Sequence, residues 1–272
     1  MSSSKTKTIR SWEELINSTL YKKAGHDAYY YYISCIPQSP YFLFFPRLGC
    51  GSKNDPDETD PEKEGYVGFH RCLSYFQDET VNMWYLYASK GCCIRLTKAV
   101  IESMGAKKRI YKDCLFRGDR DGKRLFLSER DFLFERKHVL YIGEAKEIGK
   151  ANFDLYLRST HKAYVPKSLL RRVQKDSPTK RACWSSETEL RLYLWVKKEV
   201  VEKWEKEGGA IDSIKVLIHP TKSQITAFET PFLEVPIGQK NPQEWKISSL
   251  TSKLKGHVLI SDLPCPFKGC KG

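Results

Sequence analysis

A chain of 272 residues with 40% hydrophobic and 12% aromatic side chains can bury a sizeable core, which excludes disorder as the expected state. Lysine and arginine number 46 against 33 acidic residues, a formal charge of +13, so polyanionic partners are favoured: nucleic acid, phosphorylated cofactors or an anionic surface. The longest apolar run, Tyr41 to Pro46, is too short to cross a bilayer and no signal sequence is apparent, so the expectation is a cytoplasmic protein with no membrane partner.

In chain order, Ser11-Trp-Glu-Glu-Leu-Ile reads as a capped amphipathic helix start, with Ser11 at the N-cap and Glu14 three residues on. The aromatic stretch from Tyr29 to Tyr32, running on to Ile33, suits either a strand or a helix end. Tyr41–Phe45 is strand-like and leads into a polar loop, Gly49 to Gly65, expected to be a mobile surface segment. Tyr66–Phe76 has strand composition, with Val67, Phe69, Arg71, Leu73 and Tyr75 on one side and His70, Cys72 and Ser74 on the other.

Asn82–Ser89 predicts a short helix, Cys92–Leu96 a strand, and Thr97–Met104 a second short helix closed by Gly105. Strands are expected at Lys108–Tyr111 and His138–Ile142, separated by a turn at Gly118–Gly122 and a charged helical stretch through Arg136. Helical character is expected from Asn152 to Arg172, interrupted near Pro166. Thr188–Val196 is the cleanest strand, followed by a charged helix Val200–Glu207 and a strand Ile214–Ile218. Strands mixed with short helices, without repeats or linkers, predict a single α+β domain over 1–272, with a mixed, largely antiparallel sheet and short flanking helices.

Nine cysteines, an odd number scattered through apolar runs, fit reduced thiols better than a disulfide framework. Cys265 and Cys270 make half of a zinc pattern with only His257 nearby, so no metal is expected.

The segment richest in chemistry is Thr188–Val196. Thr188, Leu190, Leu192, Leu194 and Val196 share one face, and Glu187, Glu189, Arg191, Tyr193 and Trp195 share the other. That second face is either a solvated surface of paired charges or a pocket wall. In a pocket, Glu187 and Glu189 would grip a sugar hydroxyl or act as base, and Arg191 would hold a phosphate or lock a carboxylate. As a bare pattern the surface reading has the edge, because charged strand faces are common and catalytic ones rare. Trp84 and Tyr87, at i and i+3, are core or an aromatic platform, and His70 and Arg71 are polar groups inside an apolar run. Between Arg158 and Arg181 a basic run including Lys167, Arg171, Arg172, Lys175, Lys180 and Arg181 meets only Asp176, and reads as a solvated face or a nucleic-acid-binding surface.

Asn54-Asp-Pro56, Ser74, Asn82-Met-Trp84 with Tyr87-Ala88 and Gly91, Val139-Leu-Tyr141, then Lys180, Trp184, Glu187, Glu189 and Arg191 come one after another in a telling order. The order resembles a widespread bacterial family of unknown function, found in abortive-infection and phage-defence loci, with W-x-x-Y-A…G and W-x-x-E-x-E-x-R motifs. The resemblance spans about residues 28–220 and leaves 221–272 as a C-terminal extension packed on it. Asp57, where the family has an aromatic, is the departure.

A weaker similarity is to ADP-ribosyltransferases, and it implies that fold and NAD as substrate. His70 or Arg71 would engage the NAD, Trp84 and Tyr87 would sandwich nicotinamide, and Glu187 and Glu189 would be catalytic. Together the two resemblances imply an antiphage effector, a toxin that transfers ADP-ribose to a macromolecule or hydrolyses NAD and is served by a partner protein from the same locus. The alternatives are a non-catalytic nucleic-acid-binding or sensing module and a metal-dependent nuclease with Glu187 and Glu189 as ligands.

Overall fold

The computed structural model describes residues 7–17, 29–34, 42–49, 55–76, 92–97, 101, 112–113, 127–128, 130–144, 152–158, 161–217, 225–229 and 258–260. The helix expected over Asn82–Ser89, with Trp84 and Tyr87, lies outside them, as do the strand at Lys108–Tyr111, the turn at Gly118–Gly122 and all of Thr97–Met104 but Thr97 and Ile101.

The first strands are β1 (Lys7–Thr8), β2 (Tyr29–Ser34), β3 (Phe42–Pro46), β4 (Tyr66–Phe76), β5 (Cys92–Leu96), β6 (Lys112–Asp113) and β7 (Phe132–His138). They are followed by β8 (Leu140–Glu144), β9 (Asn152–Arg158), β10 (His161–Pro166), β11 (Thr179–Arg181), β12 (Glu189–Lys197), β13 (Ser213–Leu217), β14 (Ile225–Glu229) and β15 (Val258–Ile260). Helices α1 (Trp12–Asn17), α2 (Lys167–Asp176) and α3 (Lys198–Gly208) and a 3-10 helix, Ala182–Glu187, complete the described elements. The class is α+β.

Three sheets form. One runs β1-β10-β9-β8-β11, one β15-β14-β5-β2-β4-β12-β7, and one β3-β13-β6. Among the described strands all pairings are antiparallel except β1 with β10, β8 with β11 and β14 with β15. The strands after residue 220 thus extend the central seven-stranded sheet beside β5.

The centre of that sheet is β12, flanked by β4 and β7. Alternation decides its packing. Leu190, Leu192, Leu194 and Val196 from β12 and Phe69, Leu73 and Tyr75 from β4 share a core with Leu43, Phe45, Val201, Trp204 and Ile214. Each such side chain contributes about 1.5–3 kcal/mol when fully buried. A second core gathers Ile9, Leu15, Leu140, Ala163, Val165, Leu169 and Val173 beneath α1 and α2.

Helix α1 starts as expected. The Glu14 N–H donates to Ser11 Oγ at 3.0 Å, while the Glu14 carboxylate accepts from the Arg10 N–H at 2.9 Å, one residue earlier than a standard capping box. Helix α3 ends at Gly209, whose φ of 88° is a conformation that L side chains rarely adopt. No helix among the described residues is long and apolar enough to cross a membrane.

Four expectations need correction. Asn152–Arg158 and His161–Pro166 are strands paired antiparallel, and the helix starts only at Lys167. Phe153, Leu155 and Leu157 alternate at the strand period, and ladder bonds to β8 on one side and β1 on the other override the helical reading. The charged stretch through Arg136 is strand β7, because it pairs with β12.

The single strand expected at His138–Ile142 is broken at Val139. Its N–H donates to Glu189 O while that of Leu140 donates to Pro178 O, so the chain passes there from one sheet to another. The loop Gly49–Gly65 is not a free surface segment over its described part. Thr59 and Thr179 exchange two backbone hydrogen bonds of 3.0 Å, and Asp55 is fully buried.

Gly68 in β4 is required by packing. A Cβ there would meet Trp195 Cζ3 at 2.6 Å and Leu48 Cδ1 closer still. Gly68→Ala is expected to destabilise the fold by about 1–3 kcal/mol, read as a lower urea midpoint with an unchanged slope.

Candidate functional site

The polar side of β12 faces inward. Glu189 lies across from Ser74, Arg191 from Cys72 and Tyr193 from His70, so the even-numbered side of β4 shares the face on which the acids and the guanidinium stand. The Asp55–Asp60 segment covers that face, and the side chain of Arg191 retains 1% of its exposure.

Arg191 spends its fork on three carboxylates. Nε reaches Glu189 Oε1 at 2.7 Å, Nη1 reaches Asp60 Oδ1 at 2.6 Å, and Nη2 reaches Glu58 Oε1 at 2.6 Å. Lys180 Nζ bridges the two acids of the late motif, 2.8 Å from Glu187 Oε2 and 2.8 Å from Glu189 Oε2, with Glu58 Oε2 at 3.7 Å. The Tyr193 hydroxyl donates to Asp60 at 2.7 Å, and the Tyr141 hydroxyl accepts from the Glu189 N–H at 2.8 Å. Tyr193 stacks on Trp195 with centroids 5.4 Å apart, and Trp195 Nε1 donates to Glu135 at 2.9 Å.

Glu187 reaches this cluster by a route the alternation did not foresee. It ends the 3-10 helix, and Thr188 adopts a left-handed conformation (φ 44°, ψ 54°) before β12 begins at Glu189. A β-branched residue there costs on the order of 1–3 kcal/mol, and the turn brings Glu187 back onto Lys180.

Burial alone would raise the Glu189 carboxyl; Arg191 and Lys180 outweigh it and hold it well below the usual carboxylate range. Burial would lower the Lys180 ammonium, but Glu189 and Glu187 hold it above its ordinary value. His70 is pushed down to about 4, by burial first and the Arg191 charge second, so its imidazole is neutral at pH 7. Burial and the Glu189 charge push up both the Cys72 thiol and the Tyr141 hydroxyl. Glu189 is therefore a fixed anion and an acceptor, unsuited to trading protons near neutrality.

No family model, curated protein or solved structure matches this chain.

Of the residues singled out from sequence, the cluster unites Glu187, Glu189, Arg191 and Lys180, with His70 alongside through its ring, 6.2 Å from that of Tyr193. Arg71 sits opposite Leu192 on the other face of the sheet, so it is not part of the group. Trp184 lies in the 3-10 helix with the Lys180 ammonium 5.8 Å from its ring centre. Lys180 leaves the expected nucleic-acid surface altogether, since it is buried between carboxylates. Arg181 is half-exposed and tied to Asp55, which its Nε meets at 2.7 Å.

The sequence reading missed Glu58 and Asp60, having placed them in a surface loop. A signal was there: two acids at spacing two around Thr59, the same period as Glu189 and Arg191.

Proposed function

We propose that this protein is an NAD-using, ADP-ribosyltransferase-like effector of an antiphage system, with Glu189 as the acid that serves the reaction. The observation behind this reading is the inward turn of the acid-bearing side of β12, with Glu189 fixed in its ionised form by Arg191 and Lys180. In such a transfer the bond between ribose C1 and nicotinamide breaks, with the electron pair leaving on nicotinamide. A nucleophile on the acceptor then bonds to C1 and releases its proton to solvent.

A permanently charged carboxylate suits this chemistry. It accepts a hydrogen bond from a ribose hydroxyl and opposes the positive charge that develops on the sugar. Arg191, whose three nitrogens are all engaged, acts as a positioning residue rather than a phosphate clamp. Substrate reaches Glu189 only when Glu58 and Asp60 part from Arg191. Neutral His70 stands beside the same face as a further polar group for the sugar or nicotinamide.

The test is turnover of labelled NAD in the presence of RNA, DNA and protein acceptors. Glu189→Gln, nearly isosteric, is expected to lose roughly ten- to a hundredfold in kcat/KM while still folding, as judged by circular dichroism. Absence of turnover by the native protein with every acceptor, or equal turnover by the folded variant, refutes the reading.

A further inference from the structure

The two long helices of the described chain carry charge in opposite ways. On α3 the cations are interleaved with Glu199, Glu202, Glu205 and Glu207, and Lys198 pairs with Glu202 at 3.8 Å. That is an ordinary solvated face. On α2, Leu169, Leu170 and Val173 are buried, and the exposed side presents Lys167, Arg171, Arg172 and Lys175. The one acid of that helix, Asp176, comes at its last residue.

Lys167, Arg171 and Lys175 stand at i, i+4 and i+8, a single row about 12 Å long. Like charges at that spacing repel by about 0.2–0.5 kcal/mol per pair. The first turn carries no acid, and Lys167 occupies the end where the helix dipole favours an anion. Nearby, Arg172 lies 5.9 Å over the ring of Trp12 on α1, whose Glu14 is already engaged by Lys7 and the Arg10 N–H. The helix pays for this arrangement locally, and a bound polyanion would offset it.

We propose that the exposed row of α2 docks the phosphate backbone of a nucleic acid. With phosphates about 3.4 Å apart along the axis of one strand, a row of about 12 Å spans three to four of them. Only three residues separate Asp176 from Lys180, so a docked strand lies beside the element that feeds the buried cluster. The inference does not depend on the NAD reading. The surface is also smaller than the basic run in the sequence suggests, because Lys180 and Arg181 are committed to carboxylates.

The experiment measures binding of the full chain to fluorescent 20-mers, one single-stranded RNA and one DNA duplex, from about 50 to 200 mM salt. Binding to at least one is expected, with log K falling against log salt at a slope of roughly −2 to −3. The triple variant K167Q/R171Q/K175Q should bind at least tenfold more weakly with a shallower slope, whereas the α3 control K198Q/K203Q/K206Q should match the native protein. Circular dichroism shows whether both variants are folded, and their changes are all on exposed positions. No binding to either nucleic acid, binding to vesicles of anionic lipid alone, or equal loss in the two variants overturns the proposal.

Discussion

Arg191→Met is expected to destabilise the protein by about 3–5 kcal/mol and to lower its thermal midpoint by roughly 10 °C. The guanidinium holds Glu189, Asp60 and Glu58 at once, all largely shielded from water. Removing it leaves three carboxylates without their shared cation, and the penalty is that of uncompensated buried charge rather than of a lost contact. Lysine is not a substitute. A single ammonium cannot reproduce the planar fork that meets three acids in different directions, so Arg191→Lys should fall between native and Arg191→Met. Urea denaturation at pH 7.5 measures all three. A loss under 1 kcal/mol for Arg191→Met shows that the cluster does not hold Asp55–Asp60 against the sheet.

Acid should weaken the fold well before the carboxylates titrate, because of His70. In the folded chain its pKa is pushed down to about 4, by burial and then by Arg191, with Asp60 and Glu189 partly opposing. The unfolded chain takes up this proton near 6.5 and the folded chain only near 4, so the unfolded state binds more protons in between. The stability attached to neutral His70 is fully present above pH 6.5, declines as pH falls through the window, and is gone below about 4. It amounts to roughly 3 kcal/mol.

Asp60 and Glu189 are also shifted downward, but from lower starting values, so they lose their contributions only at lower pH, below the ordinary carboxylate values. The interval from pH 6.5 to 5 lies above the ordinary carboxylate values, and comparison with His70→Gln separates this imidazole from the other five histidines. Comparing unfolding free energies of the native chain and His70→Gln across it should show a steeper fall for the native protein. Parallel curves would mean that His70 is not held neutral.

The face assignments of β4 and β12 were legible because the side-chain period of a strand is two, and both segments alternate over their whole length. Asn152–Arg158 was misread although Phe153, Leu155 and Leu157 alternate: seven residues are a short window in which to tell strand from helix, and its neighbours β8 and β10, which settle it, are invisible locally. Glu58 and Asp60 were lost to composition. A run of Asp, Glu, Pro and Lys looks solvated until the pairing of Thr59 with Thr179 pins it across the sheet.

By itself, the sequence determined that Glu189, Arg191, Tyr193 and Trp195 stand on one side of a strand with leucines on the other, since backbone geometry dictates this wherever the strand lies. Tertiary structure alone decided that this side is closed from water and that Lys180 belongs to it rather than to the basic surface. A charged face is stable indoors only when opposite charges arrive from elsewhere in the chain. Here they come from Asp55–Asp60, more than 120 residues away; Asp60 and its hydrogen-bond donor Arg191 stand 131 positions apart.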